Sequence, residues 1–345
     1  MPFCRVFARA LCGLLGLFPA LVHAQQSDAC WLQHRATVYE WICAHQSLPD
    51  SGRDFALSVV VVDSPRSLMV IDSGATASVG ESLARAVRIK FGSKPVWILN
   101  TQPKPEHVLG NVGFGEVIRD TLKEEETLGQ RIVAGKLTSD LMVKRCPECI
   151  KNFAERMGSN SVQGTQPVVP QRLLRAERGH LGTLNSDWVP WKYRLYKDLE
   201  TEEALILQNR DLNLRWVGSA VQDRLVPDLY DGDVVARIDF LARLYTVLKS
   251  DETLLTSHGA LNRDTVKRNL DYFVDLHRRV LVGLEEGVSE VELIKQLSEP
   301  AETLNSTSNS AVYVSTLPDP GKSRDLETHQ LNIQRIYRQT EPLVF

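Results

Sequence analysis

The sequence has no dense run of lysine or arginine, and its 40 basic residues are outnumbered by 43 acidic ones, giving a formal net charge of −3. Nucleic acids and anionic membranes both select for clustered positive charge, so neither is expected as the main partner. The sequence also lacks a glycine-rich turn between a strand and a helix, which excludes a dinucleotide-binding fold. A composition of 43% hydrophobic and 24% charged residues is typical of a globular protein, and 345 residues suffice for one large domain or two ordinary ones.

The first 24 residues differ from the rest of the chain. Arg5 and Arg9 precede a mostly apolar stretch from Ala10 to Val22, and Ala24 ends a Val-His-Ala segment that resembles a cleavage site. A stretch of roughly 13 apolar residues is too short for a bilayer span of about 20, although it could form a buried helix. The pattern predicts a signal peptide cleaved near Ala24, and a periplasmic or secreted mature chain without a membrane span.

Four cysteines remain after the predicted cleavage, namely Cys30, Cys43, Cys146 and Cys149. Export favours oxidation, and the short separation of the first two predicts a Cys30–Cys43 disulfide. The Cys-x-x-Cys pair is either a local disulfide or a redox pair. Zinc binding by all four thiolates stays open, but we expect two disulfides.

Three β-rich segments precede a polar loop. The runs Phe55–Asp63 and Ser67–Asp72 predict a hairpin, and a helix is expected from about Val79 to Phe91. The segment Pro95–Leu99 predicts the next strand. The polar stretch that follows, Thr101–Asn111, is the most informative part of the chain.

This loop reads Thr-Gln-Pro-Lys-Pro-Glu-His from Thr101 to His107, with Gly110-Asn111 after it. It resembles the metal-binding loop of the metallo-β-lactamase superfamily, whose pattern is T-H-x-H-x-D-H followed by Gly-Asn. The segment Val70–Gly74 is similar to that family's I-D-T-G turn. The resemblance implies an α/β fold, a four-layer αββα sandwich with zinc at one edge, and it gives Asp72 the role of bracing the loop. It divides the chain into a signal peptide (1–24), a metallo-β-lactamase-like domain (25–300), and a linker with a C-terminal helix (301–345).

The ligand positions of that family are mostly changed here. Positions that carry histidine or a bridging aspartate in the family carry Gln102, Lys104, Glu200 and Ser219. Two histidines are kept and one aspartate becomes glutamate, which leaves Glu106, His107 and His258 as candidate ligands for a single zinc ion. We hypothesise that the Lys104 ammonium replaces a metal ion between Glu106 and Glu200, because buried carboxylates need a partner.

Two further segments resemble one branch of the superfamily. The segment Arg145–Ile150 contains the Cys-x-x-Cys pair, and Thr328–Glu341 contains a His-x-x-Asn motif that ends in glutamate. Both are similar to the exported quinoprotein relay system zinc metallohydrolases. The resemblance implies a role beside periplasmic quinoprotein dehydrogenases.

Three functions follow from these patterns. The first is a non-catalytic homologue that binds a partner or a small molecule in the old active-site cleft and needs no cofactor. The second is a hydrolase with one metal held by Glu106, His107 and His258. The third is a redox module that uses Cys146 and Cys149.

Overall fold

The computed structural model describes residues 29–223, 226–298 and 323–344; the predicted signal peptide and the linker that begins at residue 301 lie outside these residues. Within them, two sheets are formed. The first sheet contains β1 (Trp31–Arg35), β2 (Val38–Trp41), β3 (Val59–Asp63), β4 (Leu68–Ile71), β5 (Val96–Leu99), β6 (Ile132–Gly135) and β7 (Arg172–Leu174). The second contains β8 (Arg178–His180), β9 (Trp191–Tyr196), β10 (Ala204–Asn209), β11 (Leu214–Trp216), β12 (Thr253–Thr256) and β13 (Gly259–Leu261).

The α-helices of the described residues follow the strands in both halves. They are α1 (Ala77–Phe91), α2 (Pro105–Val108), α3 (Gly115–Arg119), α4 (Lys136–Met157), α5 (Val234–Val247), α6 (Arg263–Glu285), α7 (Glu290–Ser298) and α8 (Ser323–Val344). The side chains of Thr76, Asp233 and Asn262 cap the first turns of α1, α5 and α6 by accepting a backbone N–H. A short 3₁₀ helix, Leu109–Phe114, packs against α1.

The strands of the first sheet follow one another in chain order, β1 to β7. The predicted hairpin is confirmed, because β3 and β4 pair antiparallel with Val61 opposite Val70. From β4 onward the pairs are parallel, so the carboxyl ends of β4, β5 and β6 lie at one edge. The loop that follows β5 therefore lies beside the turn that follows β4.

Alternating side chains of each strand build separate layers. On β3, Val60 and Val62 point between the two sheets and meet Leu205 and Leu207 of β10, whereas Val61 points outward. Helix α1 covers the outer face of the first sheet, and α5 and α6 pack against the outer face of the second. The four-layer αββα sandwich is thus confirmed.

The cysteines form one crosslink in the described part of the chain. The predicted disulfide between Cys30 and Cys43 is present and closes the β1–β2 hairpin. The expectation of a second disulfide is wrong, because Cys146 and Cys149 are both free thiols. Residues three apart on a helix point about 60° apart. On α4, Cys146 turns into the core and Cys149 faces a cleft.

No helix in the described ranges is long and apolar enough to cross a membrane.

Candidate functional site

The predicted site residues converge at one edge of the sandwich. Asp72 follows β4 directly, Gln102 lies three residues beyond β5, and Ser219 and His258 follow β11 and β12. Glu200 lies in the connection between β9 and β10. Together these segments surround a cleft of about 370 Å³.

Asp72 holds the loop after β5 in place. Its backbone has φ of 67°, in the left-handed region that non-glycine residues rarely adopt. One carboxylate oxygen accepts a hydrogen bond from the backbone N–H of Thr101 at 2.8 Å. The other accepts hydrogen bonds from the Thr101 hydroxyl at 2.8 Å and from His107 Nδ1 at 2.7 Å. The strained turn therefore aims both oxygens at the loop, as the family's aspartate would.

The Gly-Asn pair locks the far end of the same loop. Gly110 N–H donates to Gly74 O at 2.7 Å, and the space beside it is so narrow that a Cβ on Gly110 would lie 1.9 Å from Ser73 O. Asn111 and Asn100 exchange two side-chain hydrogen bonds, 2.8 and 3.1 Å long, and both are fully buried. These close contacts account for glycine and asparagine at these two positions.

Both ring nitrogens of His107 are used inside the protein. Nδ1 donates to Asp72, and Nε2 lies 2.8 Å from the side-chain amide nitrogen of Gln102, from which it accepts a hydrogen bond when the ring is neutral. Burial by itself would lower the pKa of His107. The charge of Asp72 and the hydrogen bond to it, together with the charge of Glu106, outweigh burial, so the pKa is raised from its ordinary value. His107 is fully buried.

Ser219 extends this chain of hydrogen bonds to Glu200. The Gln102 amide donates to Ser219 Oγ at 2.6 Å, and Ser219 Oγ donates to Glu200 Oε1 at 2.5 Å. Ser219 Oγ also lies 3.5 Å from His107 Nε2, so Asp72, His107 and Ser219 resemble a catalytic triad in their order. The serine proton is directed to Glu200 and the Nε2 lone pair faces Gln102, so this arrangement does not activate the serine.

Lys104 and Glu200 form a buried ion pair at the centre of the site. Lys104 Nζ lies 2.6 Å from Glu200 Oε1, with side-chain exposures of only 7% and 1%. Burial disfavours the charged ammonium, but the charges of Glu200, Glu106 and Asp228 and the hydrogen bond to Glu200 together outweigh burial and raise the pKa of Lys104. Burial would raise the pKa of Glu200, but the charges of Lys104 and Arg237 lower it further than burial raises it. The pair therefore stays ionised across the physiological range.

Two other groups complete the surroundings of Lys104. The ring of Tyr230 covers the ammonium at 4.4 Å from its centroid, a cation–π distance. Glu106 forms no ion pair with Lys104 in the described structure and acts on it only through its charge. Of the two carboxylates in the hypothesis, Glu200 contacts the Lys104 ammonium, whereas Glu106 lies farther away.

Arg237 of α5 is a site residue that the sequence interpretation missed. Its side chain is completely buried, and Nη1 lies 3.6 Å from Glu200 Oε2. It stands in the apolar stripe of α5, between Val234 and Leu241, which is the face that packs on the sheet. A charged residue in an otherwise apolar stripe is the signal that could have identified it.

The residues do not fit the metal centre that the fold implies. The ammonium of Lys104 lies at the centre of the candidate site, and a cation there repels a second cation. Both ring nitrogens of His107 already contact Gln102 and Asp72, so neither is free to bind a metal ion. Among residues 29–223, 226–298 and 323–344, no three His, Cys, Asp or Glu side chains are grouped to hold a metal. Glu106 and His258 line the cleft but do not form such a group with His107.

The thiols of α4 are poorly suited to redox exchange. Burial raises the pKa of the Cys146 thiol to about 12. Burial, together with the charge of Glu106, also raises the pKa of Cys149, the thiol that faces the cleft. Thiol–disulfide exchange proceeds through the thiolate, so both shifts disfavour it.

The His-x-x-Asn motif of α8 holds the loop that covers the site. Asn332 accepts the backbone N–H of Leu229 at 2.9 Å and donates to Pro227 O at 2.8 Å. Arg335 pairs with Asp228 at 3.0 Å. Residues 226–230, which include Tyr230, are therefore fixed over Lys104 by the C-terminal helix.

His329 anchors α8 itself and makes this anchor sensitive to pH. Nε2 donates to Leu297 O at 3.0 Å, and Nδ1 lies 2.9 Å from Tyr272 OH, from which it accepts a hydrogen bond when the ring is neutral. Burial lowers the pKa of His329 to about 4; the hydrogen bond to Leu297 opposes this, and the charge of Arg279 adds to it. The unfolded chain thus takes up the proton first as pH falls, so this contribution to stability is complete above the ordinary histidine pKa and is lost below it.

We expect the stability advantage of the native chain over His329→Gln to shrink by about 2 kcal/mol between pH 7 and pH 5. Urea unfolding of both proteins at both pH values measures this difference. His107 is present in both proteins, so its opposite contribution cancels in the comparison. His45→Gln, at an exposed position, is the matched control and should leave the pH dependence unchanged. An advantage that stays constant between the two pH values would contradict the assignment.

Solved structures of known proteins match this fold. A stereoselective inverting sec-alkylsulfatase from Pseudomonas sp. matches with a TM-score of 0.64 and 13% identity over 90% of this chain and 50% of its own. A metallo-β-lactamase from Pontibacter korlensis matches with a TM-score of 0.50 and 13% identity over 71% of this chain and 98% of its own. One from Erythrobacter litoralis matches with a TM-score of 0.50 and 15% identity over 71% and 96%.

These comparisons define the class: the chain has the metallo-β-lactamase fold. It spans half the length of the alkylsulfatase and nearly all of the two lactamases. No protein-family model and no curated protein matches the sequence.

Proposed function

We propose that this protein binds a ligand in the cleft above Lys104 and uses no metal to do so. The observation that supports the proposal is the 2.6 Å contact between Lys104 and Glu200 at two former ligand positions. An internal cation there satisfies the carboxylate that a metal would otherwise neutralise. Asp72, His107, Gln102 and Ser219 then form a continuous hydrogen-bonded support beneath the cleft.

The cleft suits a small polar molecule with one flat apolar side. The rings of Phe55 and Phe153 lie 4.4 Å apart, tilted by 39°, and form an apolar wall. Gln222, Asp228 and His258 supply polar groups on other sides. Both signs of charge line the cleft, so selectivity would come from placed hydrogen bonds rather than from net charge.

We propose further that the protein works in an exported compartment, beside periplasmic quinoprotein dehydrogenases. The Cys30–Cys43 disulfide supports export, since disulfides persist in oxidising compartments. The resemblance of Arg145–Ile150 and Thr328–Glu341 to the quinoprotein-linked branch supports the partner.

Metal analysis tests the proposed function. The purified mature protein, incubated with excess zinc and desalted, should retain far less than one zinc ion per chain, because Lys104 repels it. The control is the variant His107→Ala combined with His258→Ala, which should retain the same small amount. If the native chain retained one zinc ion and the double variant lost it, the proposal would be overturned. The result would favour the alternative, a hydrolase with one metal at Glu106, His107 and His258.

A further inference from the structure

A second cavity lies on the outer face of the second sheet and shares no lining residue with the cleft. It measures about 650 Å³, within the range of about 300–1,000 Å³ that ligand pockets occupy. It is bounded by β8, β9 and β10 on one side and by α5 on the other. We call it the outer groove.

Positive charge dominates the wall of the outer groove. Its lining contains six cationic side chains and no Asp or Glu: Arg178, Lys192, Arg194, Arg210, Arg215 and Arg243. The whole chain has a net charge of −3, so this concentration is local. Three of the six have acidic partners outside the lining: Arg194 with Glu177, Arg215 with Glu252, and Arg243 with Asp239.

The strand register forces these cations together. Arg178 on β8 is directly opposite Arg194 on β9. Like charges in directly opposed positions destabilise a sheet, so a bound anion would relieve the repulsion. The Arg194 side chain is 41% exposed, and within the described ranges its guanidinium forms an ion pair with Glu177 through Nη2 alone, so part of its charge faces the groove.

The floor of the outer groove is apolar. Tyr196 meets Phe240 edge to face at 5.0 Å, and this surface is continued by Ile206 of β10 and by Leu244 and Val247 of α5. Phe240, Ile206 and Leu244 are largely buried, whereas Val247 is 56% exposed. An alkyl or aryl chain laid along this floor would remove apolar surface from water.

We propose that the outer groove binds a small amphipathic anion, with its acidic head at the Arg178–Arg194–Lys192 wall and its apolar tail over Ile206, Phe240 and Val247. A fatty carboxylate has this chemistry. An inorganic anion would leave the floor exposed, and an uncharged amphiphile would leave the cationic wall unpaired.

Isothermal titration of the full mature chain with dodecanoate tests the proposal. We expect saturable binding of one dodecanoate per chain, and binding at least about tenfold weaker for dodecanol and dodecyltrimethylammonium, which lack the anionic head. Acetate, which lacks the tail, should not bind detectably. Equal binding of the cationic and anionic amphiphiles would overturn the proposal.

Variants locate the site. Arg178→Glu combined with Lys192→Glu, and separately Val247→Glu, should each weaken dodecanoate binding at least about tenfold. Arg85→Glu, an exposed change on α1 at the other sheet, is the matched control and should bind as the native chain does. Unchanged binding in both groove variants would overturn the proposal. The proposal would also be overturned if the native chain formed a dimer that the double variant lost, and if neither protein bound dodecanoate. The occupant of the outer groove would then be a second copy of the chain.

Discussion

Replacing Lys104 with alanine is expected to lower the free energy of unfolding by about 3–5 kcal/mol, the loss typical of breaking a buried ion pair by removing one partner. Glu200 is 1% exposed, so its charge would remain buried, with Arg237 as the neighbouring cation. Urea unfolding followed by circular dichroism measures the change.

Lys94→Ala provides the matched control for this prediction. Lys94 also pairs with a carboxylate, Asp63 at 2.5 Å, but both partners are partly exposed, so its loss should cost less than about 1 kcal/mol. In a double-mutant cycle, the effects of Lys104→Met and Glu200→Gln should be clearly less than additive. If Lys104→Ala cost no more than Lys94→Ala, the ammonium would not be substituting for an ion.

Gly110→Ala should destabilise the protein by at least about 3 kcal/mol through steric overlap. The new Cβ would lie 1.9 Å from Ser73 O and 2.6 Å from Ser73 C, both backbone atoms. That backbone cannot retreat easily, because the Gly110 N–H is bonded to Gly74 O at 2.7 Å. Thermal and urea unfolding would show the loss.

Gly115→Ala is the control that separates this steric effect from a general destabilisation by alanine in the segment. Gly115 begins α3 with helical angles, and a Cβ there would meet its nearest neighbour, Arg119 Nη2, at 3.5 Å. Its replacement should be neutral or stabilise by less than about 1 kcal/mol. Similar stabilities of the two variants would contradict the close packing of Gly110 on Ser73.

The elements that the sequence predicted well are those with a strong local pattern. The apolar runs of β3 and β4 and the apolar stripe of α1 specify their own structure. The strands β1, β2 and β6 were not predicted. Each forms because a neighbouring strand pairs with it, and the local sequence does not specify that pairing.

The candidate site was predictable to the extent that it follows a linear motif. The loop from Gln102 to His107 could be aligned position by position, and that alignment brought Lys104 and Glu200 together as a hypothesis. Arg237 could not be found in this way, because it lies on a helix far along the chain and matches no motif. The state of Cys146 and Cys149 depends on how α4 packs, which spacing alone does not determine.

The buried ammonium of Lys104 has a consequence for how the cleft depends on its surroundings. A metal ion occupies a site by mass action, so its occupancy depends on a dissociation constant and on supply, and a chelator can remove it. The cation here is part of the polypeptide and is installed at translation, with one copy in every molecule. Under the function proposed above, the cleft is therefore complete from the moment of folding and needs no supply of metal.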